Sequence, residues 1–129
     1  MAVEHWNQVY SRYTPEKIDA DAYYASAGPS VRKTLEVIGD VAGKSVLEVG
    51  CGNGDFSVYL ALRGARVTGI DNADVALQNA TALARENGVE DRTVFAQLDA
   101  MAIDRLSDDG FDLVVGKCIL HHIEPFDQF

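Results

Sequence analysis

Three glycines within five residues, Gly50, Gly52 and Gly54, break the apolar run of 46-VLEVGCGNGDFSVYLA-61. Glycine lets a backbone turn tightly and approach a ligand without a Cβ, and the N–H groups that open a following helix favour an anionic group. The spacing here is Gly-x-Gly-x-Gly. A dinucleotide fingerprint wants its third glycine at position 55, which is Asp55, and a carboxylate there would repel a pyrophosphate. A nicotinamide dinucleotide is therefore disfavoured. Asp71 stands 21 residues after Gly50 and can accept hydrogen bonds from both hydroxyls of a ribose. Its alternative is a carboxylate favoured at a helix N-terminus by the dipole. Glu48 is the one charged residue inside the first apolar run, and a buried carboxylate is costly unless paired. Asp55 either assists at the site or simply opens the next helix, and Asn53 reads as a turn residue.

Near the end of the sequence, Lys117, Cys118, His121 and His122 bring a cation, a thiol and two imidazoles together. Lys117 either orients an anionic acceptor or extends to solvent. Adjacent histidines on a helix point about 100° apart, so His121 and His122 are separate candidates for a catalytic base. For each, the alternative is a packed or capping histidine. Cys118 is the only other good metal ligand nearby and completes no four-ligand set, so no metal site is expected.

These residues need elements to hold them. Residues 45–50 read as a buried strand, 54–63 as a helix with Phe56, Tyr59, Leu60 and Arg63 on one side, and Gly64 as its stop. Residues 66–71 form the next strand. Asn72 is placed to cap a helix whose inner face is Ala73, Ala76, Leu77, Ala80, Leu83 and Ala84, ending at Asn87-Gly88. Residues 93–98 and 111–116 are the third and fourth strands, separated by a loop or short helix over 100–107 and a turn at Asp108-Asp109-Gly110. A further helix begins at Ile119. In front, Trp6, Val9, Tyr10 and Tyr13 share one stripe of a helix that Pro15 stops, 16–27 is helix-compatible, and 30–40 is helical. Strands alternating with helices make an α/β domain with a parallel sheet and right-handed crossovers.

Composition agrees. A chain of 129 residues, 47% hydrophobic and 24% charged, suits one soluble domain that buries roughly two thirds of its unfolded surface. No apolar run reaches the ~20 residues of a membrane span, and no signal peptide opens the sequence, so a cytoplasmic protein with reduced cysteines is expected. The net charge of −9, from 20 acidic and 11 basic residues, argues against nucleic acid and leaves a small-molecule substrate as the expected partner.

The series VLEVGCGNG, VTGID, QLDA and FDLVVGKCILHHI, in that order at successive strand ends, resembles the class I S-adenosylmethionine-dependent methyltransferases, particularly the small-molecule type. The resemblance covers about residues 44–123. It implies a Rossmann-like sheet, S-adenosyl-L-methionine as cofactor, and methyl transfer to a small molecule. The cofactor-binding set it implies is Glu48, Gly50, Cys51, Gly52, Gly54, Asp71, Asn72, Asp99, Ala100 and Lys117. In it Glu48 helps hold the methionyl ammonium, directly or through water, Asp99 accepts from the adenine amine, and the Ala100 N–H meets a ring nitrogen. Many relatives carry a serine-asparagine pair before the histidines, so Lys117 departs from the pattern. The Asn-Pro-Pro-Tyr type motif of amino-group methyltransferases is absent, which leaves oxygen, carbon or sulfur as the acceptor. Residues 1–43 then form a helical extension that either covers the cofactor as a lid, with an aromatic near the sulfonium, or packs against the sheet.

The family's sheet has seven strands in the order 3-2-1-4-5-7-6, and four are legible, giving 3-2-1-4 with the later strands missing. Residues 44–129 thus amount to the cofactor-binding half. The fourth strand would be an apolar edge, which predicts either a fragment of a longer protein or two copies pairing there as a homodimer. Two rivals to methyl transfer remain, a cofactor-binding module without its own activity and an NAD-dependent oxidoreductase.

Overall fold

The computed structural model describes residues 3–99 and 110–116. Four parallel strands, β1 (Ser45–Val49), β2 (Arg66–Asp71), β3 (Thr93–Gln97) and β4 (Leu113–Gly116), form one sheet in the order β3-β2-β1-β4. This is the expected Rossmann-like order. The helices are α1 (Val3–Tyr10), α2 (Ala20–Ser26), α3 (Pro29–Ile38), α4 (Asp55–Leu62) and α5 (Asp74–Glu86), with a 3-10 turn at Glu90–Arg92. The readings for residues 100–107, for Asp108 and Asp109, and for the helix from Ile119 fall outside the described residues.

Alternation along the strands sorts the core. Val46, Val67 and Val115 face α4 and α5, where Phe56, Leu60, Leu83 and Ala84 meet them. Leu47, Val49 and Ile70 face the other side with Ala96, Leu98 and Phe111. Register places Val94, Thr68, Leu47 and Val114 in one row on that second face. Its two ends, Val94 and Val114, are each 61% exposed.

Helix α5 follows its sequence pattern, burying Ala76, Leu77, Ala80, Leu83 and Ala84. Helix α4 does not keep to one side: Phe56 to Ala61 are all buried, because α2 packs on the helix and Val31, Leu35 and Ile38 of α3 join the same core. Three further expectations are corrected. Helix α1 ends at Tyr10, where Ser11 takes the Gln8 carbonyl with both its N–H and its hydroxyl and the chain tightens, so Tyr13 lies beyond the helix. The segment 16–27 is helical only from Ala20, where the Asp19 carboxylate accepts from the Ala22 N–H. Asn72 does not cap α5. The cap residue is Ala73, and its N–H donates to Asp71 Oδ1 at 2.9 Å.

Asparagines add polar ties to the packing of the N-terminal segment. Asn87 accepts from the Ile18 N–H at 2.7 Å and donates to the Glu16 and Leu83 carbonyls. Replacing it removes the partners of the Ile18 N–H and the Glu16 carbonyl, while the Leu83 carbonyl keeps the backbone N–H of residue 87. Asn87→Ala should therefore cost about 1 to 3 kcal/mol in urea melts and expose residues 11–18 to limited proteolysis.

Tyr23 stacks on Tyr59 with ring centroids 4.6 Å apart. Burial, followed by the negative charges of Asp55 and Glu48, pushes its hydroxyl up to about 12 from 10.0. The folded state holds this proton more tightly than the unfolded chain, so the contribution is full below pH 10 and is lost as pH rises toward 12. Tyr23→Phe keeps the stack and should flatten that part of the alkaline loss in urea melts run at stepped pH.

Candidate functional site

The site gathers at the carboxyl ends of β1, β2 and β3. After β1 the chain enters the glycine loop with φ of +74° at Gly50, +55° at Gly52 and +84° at Gly54, a region that side-chain-bearing residues rarely adopt. Gly50 and Cys51 donate their N–H groups to the Ile70 carbonyl, and Gly54 donates to Cys51, which folds the loop back over β2. Packing adds a second constraint at Gly54, since a Cβ there would lie 2.7 Å from that of Ala80 on α5. At Gly52 a Cβ would come 3.1 Å from the Tyr10 hydroxyl. The loop surface facing α1 thus has room for backbone and little else.

Asp71 ends β2 with both carboxylate oxygens engaged, Oδ2 by the Gly52 N–H and Oδ1 by the Ala73 N–H, each at 2.9 Å. A carboxylate oxygen has two acceptor directions, so these bonds orient the group toward the mouth of the site without exhausting it. Asn72 donates to Asp99 Oδ2 at 3.1 Å, and its carbonyl accepts from the Gln97 side chain. Asn72 therefore joins the ends of β2 and β3 in place of the capping role expected for it.

Glu48 is 2% exposed and points toward α4, where the Ser57 hydroxyl donates to its Oε1 at 2.6 Å. Cys51 lies buried beneath the loop. Desolvation first, then the charges of Glu48 and Asp71, raise its thiol well above the usual cysteine range, so it stays protonated and is a packing group rather than a nucleophile. The Tyr10 hydroxyl is also raised, by burial first and then by the negative charge of Asp71. A separate cleft of about 360 Å3 between α2, α3 and α4 contains none of the candidate residues.

Of the residues expected from sequence, the structure brings Glu48, Gly50, Cys51, Gly52, Gly54, Asp71, Asn72 and Asp99 to this one end of the sheet. Ala100, Lys117, Cys118, His121 and His122 lie outside the described residues. Asn53, read as a turn residue, accepts from the Asn79 side chain, which also donates to the Tyr10 carbonyl. Asn79 and Ser57 went unnoticed in the sequence. A polar residue within an otherwise apolar helix was the available signal for Ser57. Helix α1 sits against α5, with Asn7 accepting from the Val75 N–H, and not against the sheet. Asp55 opens α4 and accepts from the Tyr13 hydroxyl at 3.2 Å.

The arrangement suits a nucleoside carrying an amino acid better than a dinucleotide. Acidic groups gather at this end of the sheet, Glu48 buried and Asp71 and Asp99 at strand ends, and Asp55 stands at the first position of α4 where a pyrophosphate would rest. No group of acidic, histidine or cysteine side chains that could hold a metal occurs among the described residues. Nor is any described helix long and apolar enough to cross a membrane.

Known proteins point the same way. Residues 40–129 match the family model described as a methyltransferase domain. The chain is 29% identical over 117 residues, 91% of its length, to a ubiquinone biosynthesis O-methyltransferase of Rickettsia conorii. It is 41% identical over 83 residues, 64% of its length, to the enzyme of that name from Pseudomonas putida. It spans 39% and 35% of these relatives. Among solved structures, an S-adenosylmethionine-dependent methyltransferase from Mesorhizobium loti superposes with a TM-score of 0.60 at 26% identity, over 76% of this chain and 43% of that one. On the family match and the strand order together, the chain belongs to the class I S-adenosylmethionine-dependent methyltransferases.

Proposed function

We propose that this chain binds S-adenosyl-L-methionine at the glycine loop and serves methyl transfer to an oxygen of a small-molecule acceptor. The observation that carries the binding is Asp71, whose two backbone hydrogen bonds hold a carboxylate at the end of β2 beside glycines that admit no side chain. There it would accept from the ribose hydroxyls, while Asp99, steadied by Asn72, would accept from the adenine amine. Glu48 would face the methionyl ammonium. When bound, the cofactor supplies a methyl group on a sulfonium, and the protein's task is alignment, exclusion of water and removal of the acceptor proton. Oxygen is favoured by the names of the two relatives. His121 and His122 remain the candidates for the base, and Ala100 and Lys117 complete the cofactor set.

Helix α1 would act as a cover, with Tyr10 set over Gly52 and Trp6 stacked on Tyr10 at 6.0 Å. The division proposed is an N-terminal helical extension over 1–43, whose first helix is the cover, and a cofactor-binding half over 44–129. The acidic balance favours a small molecule over nucleic acid, and a cytoplasmic setting away from membranes is part of the same proposal. Pairing of two copies along β4 is the proposed homodimer.

Titration calorimetry provides the test. S-adenosylhomocysteine should bind and NAD should give no heat, and the reverse result overturns the assignment. Asp71→Ala should weaken S-adenosylhomocysteine by about 1 to 3 kcal/mol, because ribose hydroxyls would lose their acceptor in a dry pocket. Unchanged affinity removes Asp71 from the site.

A further inference from the structure

Glu48 and Ser57 are the two buried polar side chains among the described residues, at 2% and 0% exposure, and they are hydrogen-bonded to each other. Ser57 behaves unlike three other helical hydroxyls among the described residues. Ser26, Thr34 and Thr81 each donate back to the carbonyl four residues earlier on their own helix. The Ser57 hydroxyl instead crosses from α4 to the central strand. Its 2.6 Å distance to Glu48 Oε1 is at the short end of the range for a hydroxyl donor, so the two side chains hold each other firmly. Glu48 lies close enough to the glycine loop for its charge to raise the thiol of Cys51. A carboxylate in so dry a place is costly unless its partners are well placed, so a donor that fixes its orientation matters.

We infer that Ser57 is a positioning residue, its hydroxyl setting the orientation in which the Glu48 carboxylate meets the ammonium of the bound methionyl group. The inference rests on the reading of Glu48 given under the proposed function. Ser57 touches no part of the ligand and acts through Glu48 alone. The ammonium and the nucleoside are held by different residues, so two ligands separate the roles. S-adenosylhomocysteine carries the amino acid, and 5′-methylthioadenosine keeps the nucleoside and lacks it.

Calorimetry with both probes on the full chain, alongside thermal melts, tests the assignment. Ser57→Ala should weaken S-adenosylhomocysteine about tenfold and leave 5′-methylthioadenosine unchanged. In a Glu48→Gln background the same substitution should add little, because the carboxylate it orients is gone. Should Ser57→Ala fail to fold, Ser57→Cys keeps the volume with a weaker donor and should show a smaller loss of the same selectivity. Equal loss of both probes makes Ser57 a structural residue only and overturns the inference. Full S-adenosylhomocysteine affinity in Ser57→Ala, with a selective loss in Glu48→Gln, overturns it while sparing Glu48. An unchanged preference between the probes in Glu48→Gln overturns the reading of Glu48 and the inference with it.

Discussion

The carboxylate of Asp71 ties two turns together. One oxygen takes the Gly52 N–H of the loop after β1, and the other takes the Ala73 N–H that opens α5. Both are backbone donors that need a partner when removed from water. With the loop pinned on one side, Gly54 can pass close against Ala80, and α4 and α5 come near enough to close the core over Val46, Val67 and Val115. Loss of this group would thus loosen the site and the helix pair together. A residue proposed to read a ribose is also the one that shapes the floor beneath it.

The same economy shows in what lies under the loop. Gly69 of β2 has Phe95 and Cys51 where a Cβ would stand, at 2.8 and 3.0 Å, so the sheet is thinned directly below the turn. Phe95 fills that hollow from β3 and also comes within 3.4 Å of the Cβ position of Gly54. Two glycines far apart in sequence therefore share one aromatic neighbour. Backbone approach above and ring packing below are a single constraint on the loop.

How much of this was legible depended on whether the cause was local. The strand order, the turn at Gly50 to Gly54 and the inner face of α5 follow from apolar periodicity and glycine placement, which the chain carries at each position. The cap of α5 was misread because Asn72 has the right chemistry, yet its neighbour Asp71 was already oriented by Gly52, a partner 19 residues earlier. The uniform burial of α4 was hidden because its outer cover comes from α2 and α3, whose packing no local pattern reports. Of the candidate site, glycines and strand-end acids stood out by type and spacing, whereas Asn79 and Ser57 act through partners that only the fold supplies.

Helix α1 shows what that difference means for function. It buries no residue, and Val9 is 54% exposed, so little hydrophobic area ties it down. Its fastening is polar: Asn7 on the Val75 N–H, the Tyr10 carbonyl on Asn79, and the Tyr10 ring against Gly52. Hydrogen bonds at a partly wet surface exchange for water at small net cost, whereas separating β1 from β2 would expose Val46, Val67 and Ile70. Local opening in a folded protein begins where few apolar contacts must be broken. Helix α1 is therefore the element whose release costs the core least, which suits the covering role proposed for it, while the sheet and the Asp71 bridge are tied by buried contacts.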